Sequence, residues 1–448
     1  MPMIKSNPAL PPAILTIFGI TGDLSRRKLL PALYYLADDN MLPKAFKIVG
    51  VTRRGTTTEE IIKKVKDSLK KRGEACNKAT LDKLSEAITI VTMDITDKDE
   101  YVRLKSQLDN IETKAKVCMN RIFYLAMPSQ MFTPVVHLLD RGGLNTGCQH
   151  GKSESRLLIE KPLGYDLSSA KELIDDICSA FNENQLYLID HYLAKPAVQR
   201  LVAFRMDPDG PKPAWNKDSI KRIVITADES IGIEGRSVFY EQMGALRDVV
   251  QSHLLQLLAI LTMDKPANKS AEAIRATKIK VLDDIKLPDK DNIAALTIRG
   301  QYDGYPEEIG NPNTSIETFA AVKLEIDNDQ WRGVDMILRT GKKLEIKATN
   351  IRLVFKLPSS TDEPNLIIHI EPGPKNNNSV DSIEYRDDYE HVLVGAIGAD
   401  RTLFATKEEV LASWRIVDPI IKAWSQDRTE LEIYQPGSDG PEAFTKII

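Results

Sequence analysis

The fold is decided near the start of the chain, where AILTIF at residues 13–18 is followed directly by GITGDL at residues 19–24. The apolar run predicts a short buried strand, and a helical pattern begins just after the glycines. Such a turn lets amide groups at the helix N-terminus face a pyrophosphate, with Arg26 and Arg27 adding positive charge. The spacing is shorter than the full G-x-G-x-x-G pattern, and it also fits a plain loop. We predict that the turn binds a dinucleotide through Gly19, Thr21, Gly22, Asp23 and Leu24.

The next apolar run, FKIVGV at residues 46–51, predicts a second strand of the same sheet and ends in Thr52-Arg53-Arg54. An acidic residue at this point of a dinucleotide-binding domain favours NAD, because it binds the ribose 2′-hydroxyl. Arginines instead offer guanidinium groups to a 2′-phosphate. We therefore predict NADP as the cofactor, with Arg53 as a binding residue, although a solvated basic turn fits the same pattern.

Strand and helix patterns alternate as far as residue 126, which predicts a parallel sheet with helices between its strands. The predicted helices lie at about 58–72 and 80–87, and the predicted strands at 88–93 and 121–126. Met127 and Pro128 follow the last of these strands, at the carboxyl edge of the sheet. We expect the nicotinamide and a sugar to meet at this loop.

Two further apolar runs end in polar residues. RLLIE at 156–160 leads into Lys161, which is either a donor in a site or an ordinary surface charge. LYLIDHYLAK at 186–195 places Asp190, His191, Tyr192 and Lys195 directly behind a buried strand. The last three side chains can donate hydrogen bonds to a doubly charged phosphate. A polar strand end that caps a turn is the alternative interpretation.

The length, composition and net charge are those of an ordinary globular protein. The chain has 448 residues, of which 42% are hydrophobic and 28% charged, and a net charge of −4. This length predicts more than one domain, which we place at residues 10–190 and 191–448. The near-neutral charge and the absence of a long apolar run argue against nucleic acid and membrane as partners. Four scattered cysteines predict reduced thiols in a cytosol, and we see no metal site.

The second domain has longer alternating segments, which between about 293 and 371 predict a mostly antiparallel sheet. Before them, a long helix is predicted from Met243 to Met263. Its first half carries Arg247, Asp248 and His253 on an otherwise apolar pattern, which suggests the wall of a site. The predicted fold is thus an α/β Rossmann-like domain followed by a larger α+β domain.

Several motifs in order resemble the glucose-6-phosphate dehydrogenase family over nearly the whole chain. They are GITGDL at 19–24, EKPLG at 160–164, IDHYL at 189–193 with Lys195, EGR at 234–236 with the helix that follows, and LRTGK at 338–342. The resemblance implies NADP-dependent oxidation of glucose 6-phosphate to 6-phosphoglucono-1,5-lactone, in a homodimer or homotetramer. The expected reduced cysteines favour a cytoplasmic location.

The resemblance also implies roles for individual residues. Asp190 and His253 are implied to form a catalytic dyad, with His191, Tyr192 and Lys195 holding the 6-phosphate. The residues implied to contact the rest of the sugar are Lys161, Glu229, Asp248 and Lys342. Lys347 is predicted as a further substrate-binding residue, and Lys161 is also expected to contact the cofactor.

The chemistry agrees with a histidine base. Oxidation at C1 requires loss of the hydroxyl proton, and a neutral imidazole is the natural acceptor near pH 7. A carboxylate bonded to its other nitrogen stabilises the imidazolium that forms. We prefer His253 to His191, because neighbours such as His191 and Asp190 direct their side chains apart. On an ideal α-helix His253 would lie about 140° from Asp248.

The chain departs from the usual family signatures at four positions. Ala194 replaces a glycine, Pro196 a glutamate, Ser252 an asparagine and Glu241 an aspartate. Pro196 biases Lys195 towards an extended backbone. These changes leave two alternatives open, a dehydrogenase of a related sugar or sugar phosphate and a non-catalytic regulatory relative.

Overall fold

The computed structural model describes residues 10–148, 153–207, 215–289, 292–356, 364–371, 386–426 and 430–447. They form two compact units, one within residues 1–163, 172–194 and 383–407, the other within 164–171, 195–382 and 408–448. Within the described ranges, no helix is long and apolar enough to cross a membrane.

The strands are β1 (Ala13–Phe18), β2 (Phe46–Thr52), β3 (Ile88–Thr92), β4 (Asn120–Leu125), β5 (Ser155–Glu160), β6 (Leu186–Ile189), β7 (Ile220–Asp228), β8 (Thr297–Tyr302), β9 (Phe319–Leu324), β10 (Asp335–Gly341), β11 (Ala348–Phe355), β12 (Asn365–Glu371), β13 (Phe404–Ala405) and β14 (Leu431–Tyr434). The α-helices are α1 (Leu30–Asp38), α2 (Thr58–Lys71), α3 (Lys78–Ala87), α4 (Lys98–Ala115), α5 (Phe132–Arg141), α6 (Leu167–Ala180), α7 (Pro196–Met206), α8 (Ser237–Ala245), α9 (Leu255–Thr262), α10 (Ala271–Asp284), α11 (Ile293–Leu296), α12 (Tyr305–Ile309), α13 (Asp388–Gly398) and α14 (Lys407–Ser425). Two further stretches, Ser25–Leu29 and Leu246–Leu254, are π-helical.

The sheet of the first unit has the strand order β13-β6-β5-β4-β1-β2-β3, and every pair except β13 with β6 is parallel. Strands β1 and β4 are buried along their whole length, as their apolar sequences predict. The register pairs Phe18 with both Val51 and Leu125. The carboxyl ends of these strands therefore meet at one edge, where ligands bind in open α/β sheets.

The first unit is completed by a segment from far along the chain. Strand β13 pairs with β6, and α13 packs against α1. The Arg156 guanidinium donates to the backbone oxygens of Ala396 and Ile397 at 2.6 and 2.8 Å. Both compact units are thus discontinuous in sequence. The functional division at residues 10–190 and 191–448 remains a prediction.

The sheet of the second unit has the order β12-β11-β7-β10-β9-β8-β14. Its pairs are antiparallel except for β7 with β10 and β8 with β14. A Rossmann-like sheet and a second, mostly antiparallel sheet confirm the predicted fold class.

The helix expected from Met243 to Met263 is not one regular α-helix. Gly244 interrupts it with φ 63° and ψ 178°. After Ala245, the nine residues Leu246–Leu254 are π-helical, and α9 follows them. We call Leu246–Leu254 the site helix. It packs against β7, β9 and β10.

The expectation of four reduced cysteines is wrong for one pair. Cys118 and Cys148 form a disulfide within the first unit, with Cα atoms 5.7 Å apart. The spacing could not predict this pair, because the two residues come together only through the segment before β4 and the loop before β5. Cys76 and Cys178 are free thiols.

Candidate active site

The glycine turn after β1 has the geometry that a dinucleotide requires. Gly19 adopts φ 86°, and a Cβ there would lie 2.4 Å from the backbone oxygen of Ala126. Its carbonyl accepts hydrogen bonds from the Gly22 amide and from the Ser25 hydroxyl, both at 2.9 Å. A side chain at residue 19 would therefore force the turn away from β4. The tight turn brings the start of the Ser25–Leu29 helix to the sheet edge, so these residues fit a pyrophosphate group.

The charged residues of this turn are paired with one another. The exposed Asp23 carboxylate accepts from Arg26 at 2.7 Å and from Arg27 at 3.5 Å. Burial acts to raise the pKa of Asp23, but the hydrogen bond from Arg26 and the charge of Arg27 hold that pKa below its usual value. The two arginines, expected to add positive charge for a ligand, are thus partly neutralised by Asp23. Thr21 and Leu24 are half-buried.

The other predicted cofactor residues lie at the ends of neighbouring strands. Arg53 directly follows β2, and its side chain is exposed. Met127 is half-buried and Pro128 exposed in the loop after β4. Because β1 pairs with both strands, the structure brings these residues to the same edge as the glycine turn.

Lys161 follows β5 at the same edge, next to the half-buried carboxylate of Glu160. The Glu160 Oε1 atom accepts from the hydroxyl of Tyr124 at 2.5 Å and from that of Tyr389 at 3.0 Å. Burial raises the pKa of Glu160, although both hydroxyl groups act to lower it. Tyr389 belongs to α13, so the returning segment supports the strand end that presents Lys161, which is itself half-buried.

Asp190 and His191 emerge directly after β6. Asp190 is 5% exposed, and its Oδ1 atom accepts from the Tyr192 amide at 3.0 Å. The His191 ring stacks on Tyr389 with centroids 6.3 Å apart and meets Tyr192 edge-on at 5.1 Å. This local turn holds the Asp190 carboxylate and half-buries the His191 and Tyr192 rings.

In the second unit, Lys195 is buried at the beginning of α7. Its ammonium pairs with Glu371 Oε1, and Lys347 lies 3.8 Å from the other oxygen of the same carboxylate. Pro196 occupies the first helical position, and Lys195 before it is extended at φ −62° and ψ 134°. Proline is well suited to this position, because the amide it lacks would have no helical partner. This departure from the family therefore fits the local structure.

Glu229 and Lys342 form a second ion pair, at the carboxyl ends of β7 and β10. These strands are parallel with Asp228 opposite Gly341, and the Glu229 amide donates to the Gly341 oxygen at 2.9 Å. Lys342 is 3% exposed and lies 5.7 Å from the centre of the Tyr240 ring. Parallel pairing of strands that are distant in sequence thus brings the two predicted sugar contacts together.

The site helix carries Asp248, Ser252 and the buried His253. The backbone amide of Leu255, just after this helix, donates a hydrogen bond to the backbone oxygen of Val250. These two residues are five apart, which is the spacing of hydrogen bonds in a π-helix. Residues five apart are then about one turn apart, so Asp248 and His253 lie on nearly the same side of the helix. The separation of 140° expected from an ideal α-helix does not apply. The Ser252 hydroxyl donates to the Asp248 backbone oxygen at 2.8 Å.

The sequence did not reveal the residues that hold the predicted site residues in place. Glu371 pairs with Lys195, whereas Glu160 and Tyr389 support the β5 end. The position of Glu371 at the end of a predicted strand was a usable signal. Tyr389 offered none, because it reaches Glu160 only through tertiary folding.

Comparisons with known proteins agree along the chain. Residues 16–200 match the glucose-6-phosphate dehydrogenase NAD binding domain, and residues 202–378 and 374–448 match the C-terminal domain of the same family. Glucose-6-phosphate 1-dehydrogenase of Bacillus subtilis (strain 168) is 35% identical, over 98% of this chain and 97% of its own.

Two solved structures are similar over equally long stretches. Glucose-6-phosphate 1-dehydrogenase from Mycobacterium avium has a TM-score of 0.84 at 32% identity, covering 98% of this chain and 97% of its own. A glucose-6-phosphate dehydrogenase in complex with its substrate glucose-6-phosphate has a TM-score of 0.87 at 29% identity, with the same coverage.

The Rossmann-like sheet, its glycine turn and the matched NAD binding domain define an oxidoreductase that uses a nicotinamide dinucleotide. More particularly, the chain belongs to the glucose-6-phosphate dehydrogenase family, which confirms the resemblance seen in the sequence. It is an enzyme of carbohydrate metabolism.

Proposed function

We propose that this enzyme oxidises D-glucose 6-phosphate at C1 with NADP, giving 6-phospho-D-glucono-1,5-lactone. The observation that carries the proposal is the full-length likeness to a dehydrogenase solved in complex with its substrate glucose-6-phosphate. This step opens the oxidative pentose phosphate pathway.

The cofactor is held at the carboxyl edge of the first sheet. Gly19, Thr21, Gly22, Asp23 and Leu24 are proposed to surround the pyrophosphate, and Met127, Pro128 and Lys161 to lie near the nicotinamide end. A bound nicotinamide dinucleotide supplies the hydride acceptor. Arg53, exposed directly after β2, is proposed to bind the 2′-phosphate of NADP.

His253 is proposed to take the C1 hydroxyl proton as the hydride leaves C1. Asp190 is proposed to orient the imidazole and to stabilise its protonated form. The support is chemical: both side chains are almost fully buried, so their charges are poorly screened by solvent. Glu229, Asp248 and Lys342 are proposed to contact the sugar hydroxyl groups.

The 6-phosphate is proposed to bind Lys195, His191 and Tyr192, with Lys347 as a further substrate contact. Glu371 already contacts both lysines. The Lys195 ammonium is thus held in place before a phosphate dianion arrives, which lowers the entropy cost of binding, and the dianion must compete with the Glu371 carboxylate for it.

The direct test is NADPH absorbance with purified enzyme and a panel of sugars and sugar phosphates. We expect turnover with glucose 6-phosphate and NADP. Faster turnover with another sugar phosphate would support the related dehydrogenase instead. Saturable binding of the sugar phosphate with no turnover of any substrate would support the regulatory relative.

A homodimer or homotetramer is also proposed, with the second sheet as its interface. Leu366 and Ile367 of the edge strand β12 are each 46% exposed, and a subunit interface would cover apolar side chains of this kind. Sedimentation should then give at least twice the mass of 50.2 kDa. We further propose a cytoplasmic location, tested by cell fractionation. The cysteines do not support this location, because Cys118 and Cys148 form a disulfide instead of remaining reduced.

A further inference from the structure

Glu317 is a buried residue two positions before β9, and its carboxylate contacts the beginning of the site helix. Its Oε1 atom accepts from the Leu246 amide at 2.9 Å, and its backbone oxygen accepts from the Ala245 amide at 3.0 Å. Amides at the start of a helix have no partner inside the helix. A carboxylate there also interacts favourably with the helix dipole. The side chain and the backbone of one residue thus bind two consecutive amides.

The kink at Gly244 is complementary to this carboxylate. Gly244 has φ +63°, and a Cβ at that residue would lie 2.3 Å from Glu317 Oε1. The space that a side chain would occupy is therefore filled by the carboxylate. Both the backbone conformation and the contact require glycine at this position.

The neighbour of Glu317 connects this arrangement to the other half of the sugar site. The Thr318 backbone oxygen accepts from the Lys342 amide at 2.9 Å, and β9 pairs with β10 through Phe319 and Gly341. Glu317 thus binds the start of the helix that carries Asp248 and His253. Its neighbour Thr318 binds the strand end that presents Lys342.

The charge of Glu317 is in keeping with this role. Burial raises its pKa, while the Leu246 amide and the nearby positive charge of Arg247 act to lower it. A buried carboxylate with these partners is costly unless its hydrogen bonds are kept.

We propose that Glu317 is a positioning residue, which sets His253 and Asp248 relative to the Lys342–Glu229 pair. The inference rests on the proposed function, in which His253 is the base. Glu317 acts through the Leu246 and Ala245 amides. The geometry requires an acceptor oxygen at this point, and glutamine can supply one.

The first experiment compares Glu317→Ala with Glu317→Gln. Glu325→Ala is the control, because it removes a half-buried carboxylate just after the same strand, which forms an ion pair with Lys286. We expect Glu317→Ala to lower kcat about 10- to 100-fold, since small misplacements of catalytic groups have effects of this size. The dissociation constant of glucose 6-phosphate should rise by a smaller factor than kcat falls, because the proposed phosphate contacts lie elsewhere, and the ionisation in kcat/KM against pH should move. Glu317→Gln should restore most of kcat and the wild-type profile.

The second experiment uses Gly244→Ala, alone and with Glu317→Ala. The added methyl group displaces the carboxylate, so we expect kcat to fall in the single variant. In the Glu317→Ala background the same methyl group should lower kcat less, because the Glu317 carboxylate with which it collides is absent. If Glu317→Ala does not fold, Glu317→Gln and Gly244→Ala still decide the question.

Unchanged kcat in Glu317→Ala and Gly244→Ala would overturn the inference. So would equal losses in the alanine and glutamine variants with an unmoved pH profile and a lowered melting temperature, which indicate a purely structural role. Failure of the base assignment is seen separately: His253→Asn would then keep its turnover, whatever the Glu317 variants do.

Discussion

The two compact units present their candidate residues by different means. In the first unit the backbone positions them, because a glycine turn and the ends of adjacent parallel strands bring the cofactor residues to one edge. In the second unit, side chains hold one another, as in the pairs of Lys342 with Glu229 and of Lys195 with Glu371. Substitutions at the glycine turn and at the ends of β2 and β4 should therefore mainly affect the cofactor, and those in the second unit the sugar and the proton transfer.

The largest expected effect comes from the site helix. His253→Asn keeps hydrogen-bonding capacity but loses basicity, so kcat should fall by roughly 10²- to 10⁴-fold, the usual contribution of a general base. The substrate dissociation constant should change little. The rise of kcat/KM through an ionisation near neutrality should vanish.

His137→Asn is the control, because His137 pairs with Asp176 in the first unit, away from the proposed motifs. Near-normal turnover of His253→Asn with the same pH profile would mean that another group is the base, and His191 would be tested next.

The second-largest expected effect is on the choice between NADP and NAD, which we predict the basic residues after β2 to control. Replacing both Arg53 and Arg54 with glutamine should remove about 1.5–3 kcal/mol of binding per charge-assisted hydrogen bond. The KM for NADP should rise about 10- to 150-fold for each guanidinium group that binds the 2′-phosphate, while the KM for NAD should hardly change. Lys63→Gln, on the exposed face of α2, serves as the control. Equal losses with both cofactors would refute the assignment.

The phosphate site allows a comparison within the second unit. Lys195→Ala removes a buried ammonium, so the KM for glucose 6-phosphate should rise about 10- to 150-fold, with little change for unphosphorylated glucose if that sugar reacts. Lys347→Ala should have a smaller effect, because that side chain is 61% exposed. Equal losses for both sugars would place Lys195 at the sugar ring or in a structural role.

The smallest expected effect concerns the glycine turn. Gly19→Ala forces a Cβ against the Ala126 oxygen at positive φ, which should lower the free energy of unfolding by about 1–3 kcal/mol. The KM for the dinucleotide should rise, with kcat at saturation nearly unchanged. Gly55→Ala is the matched control, because a Cβ there meets no atom within 4 Å. An unchanged KM would mean that the turn does not contact the cofactor.

The difference between the two units also explains which features could be predicted from the sequence. The glycine turn, the parallel strands and the polar strand ends follow from local periodicity, and the fold class was confirmed. The structure also joins Glu229 to Lys342, two residues far apart in the chain, whose roles only the resemblance suggested. Their pairing depends on β7 lying parallel to β10, which no local pattern encodes.

The π-helix was beyond local reasoning as well. The apolar periodicity of residues 243–263 predicts an α-helix, whereas the kink at Gly244 and the carboxylate of Glu317 come from tertiary contacts. The disulfide between Cys118 and Cys148 likewise depends on where two loops meet. The catalytic roles themselves remain predictions for the kinetic experiments.

Strand β13 has a consequence for the order in which the protein is made. β6 ends at Ile189, but its outer neighbour β13 begins only at Phe404. During synthesis, β6 therefore remains an open edge of the sheet until β13 has been made. Open edges can pair with strands of other chains. A gene fragment that stops near residue 200 would leave that edge bare permanently. We expect such a fragment to aggregate, and a fragment supplemented with residues 386–407 to be recovered in monomeric form.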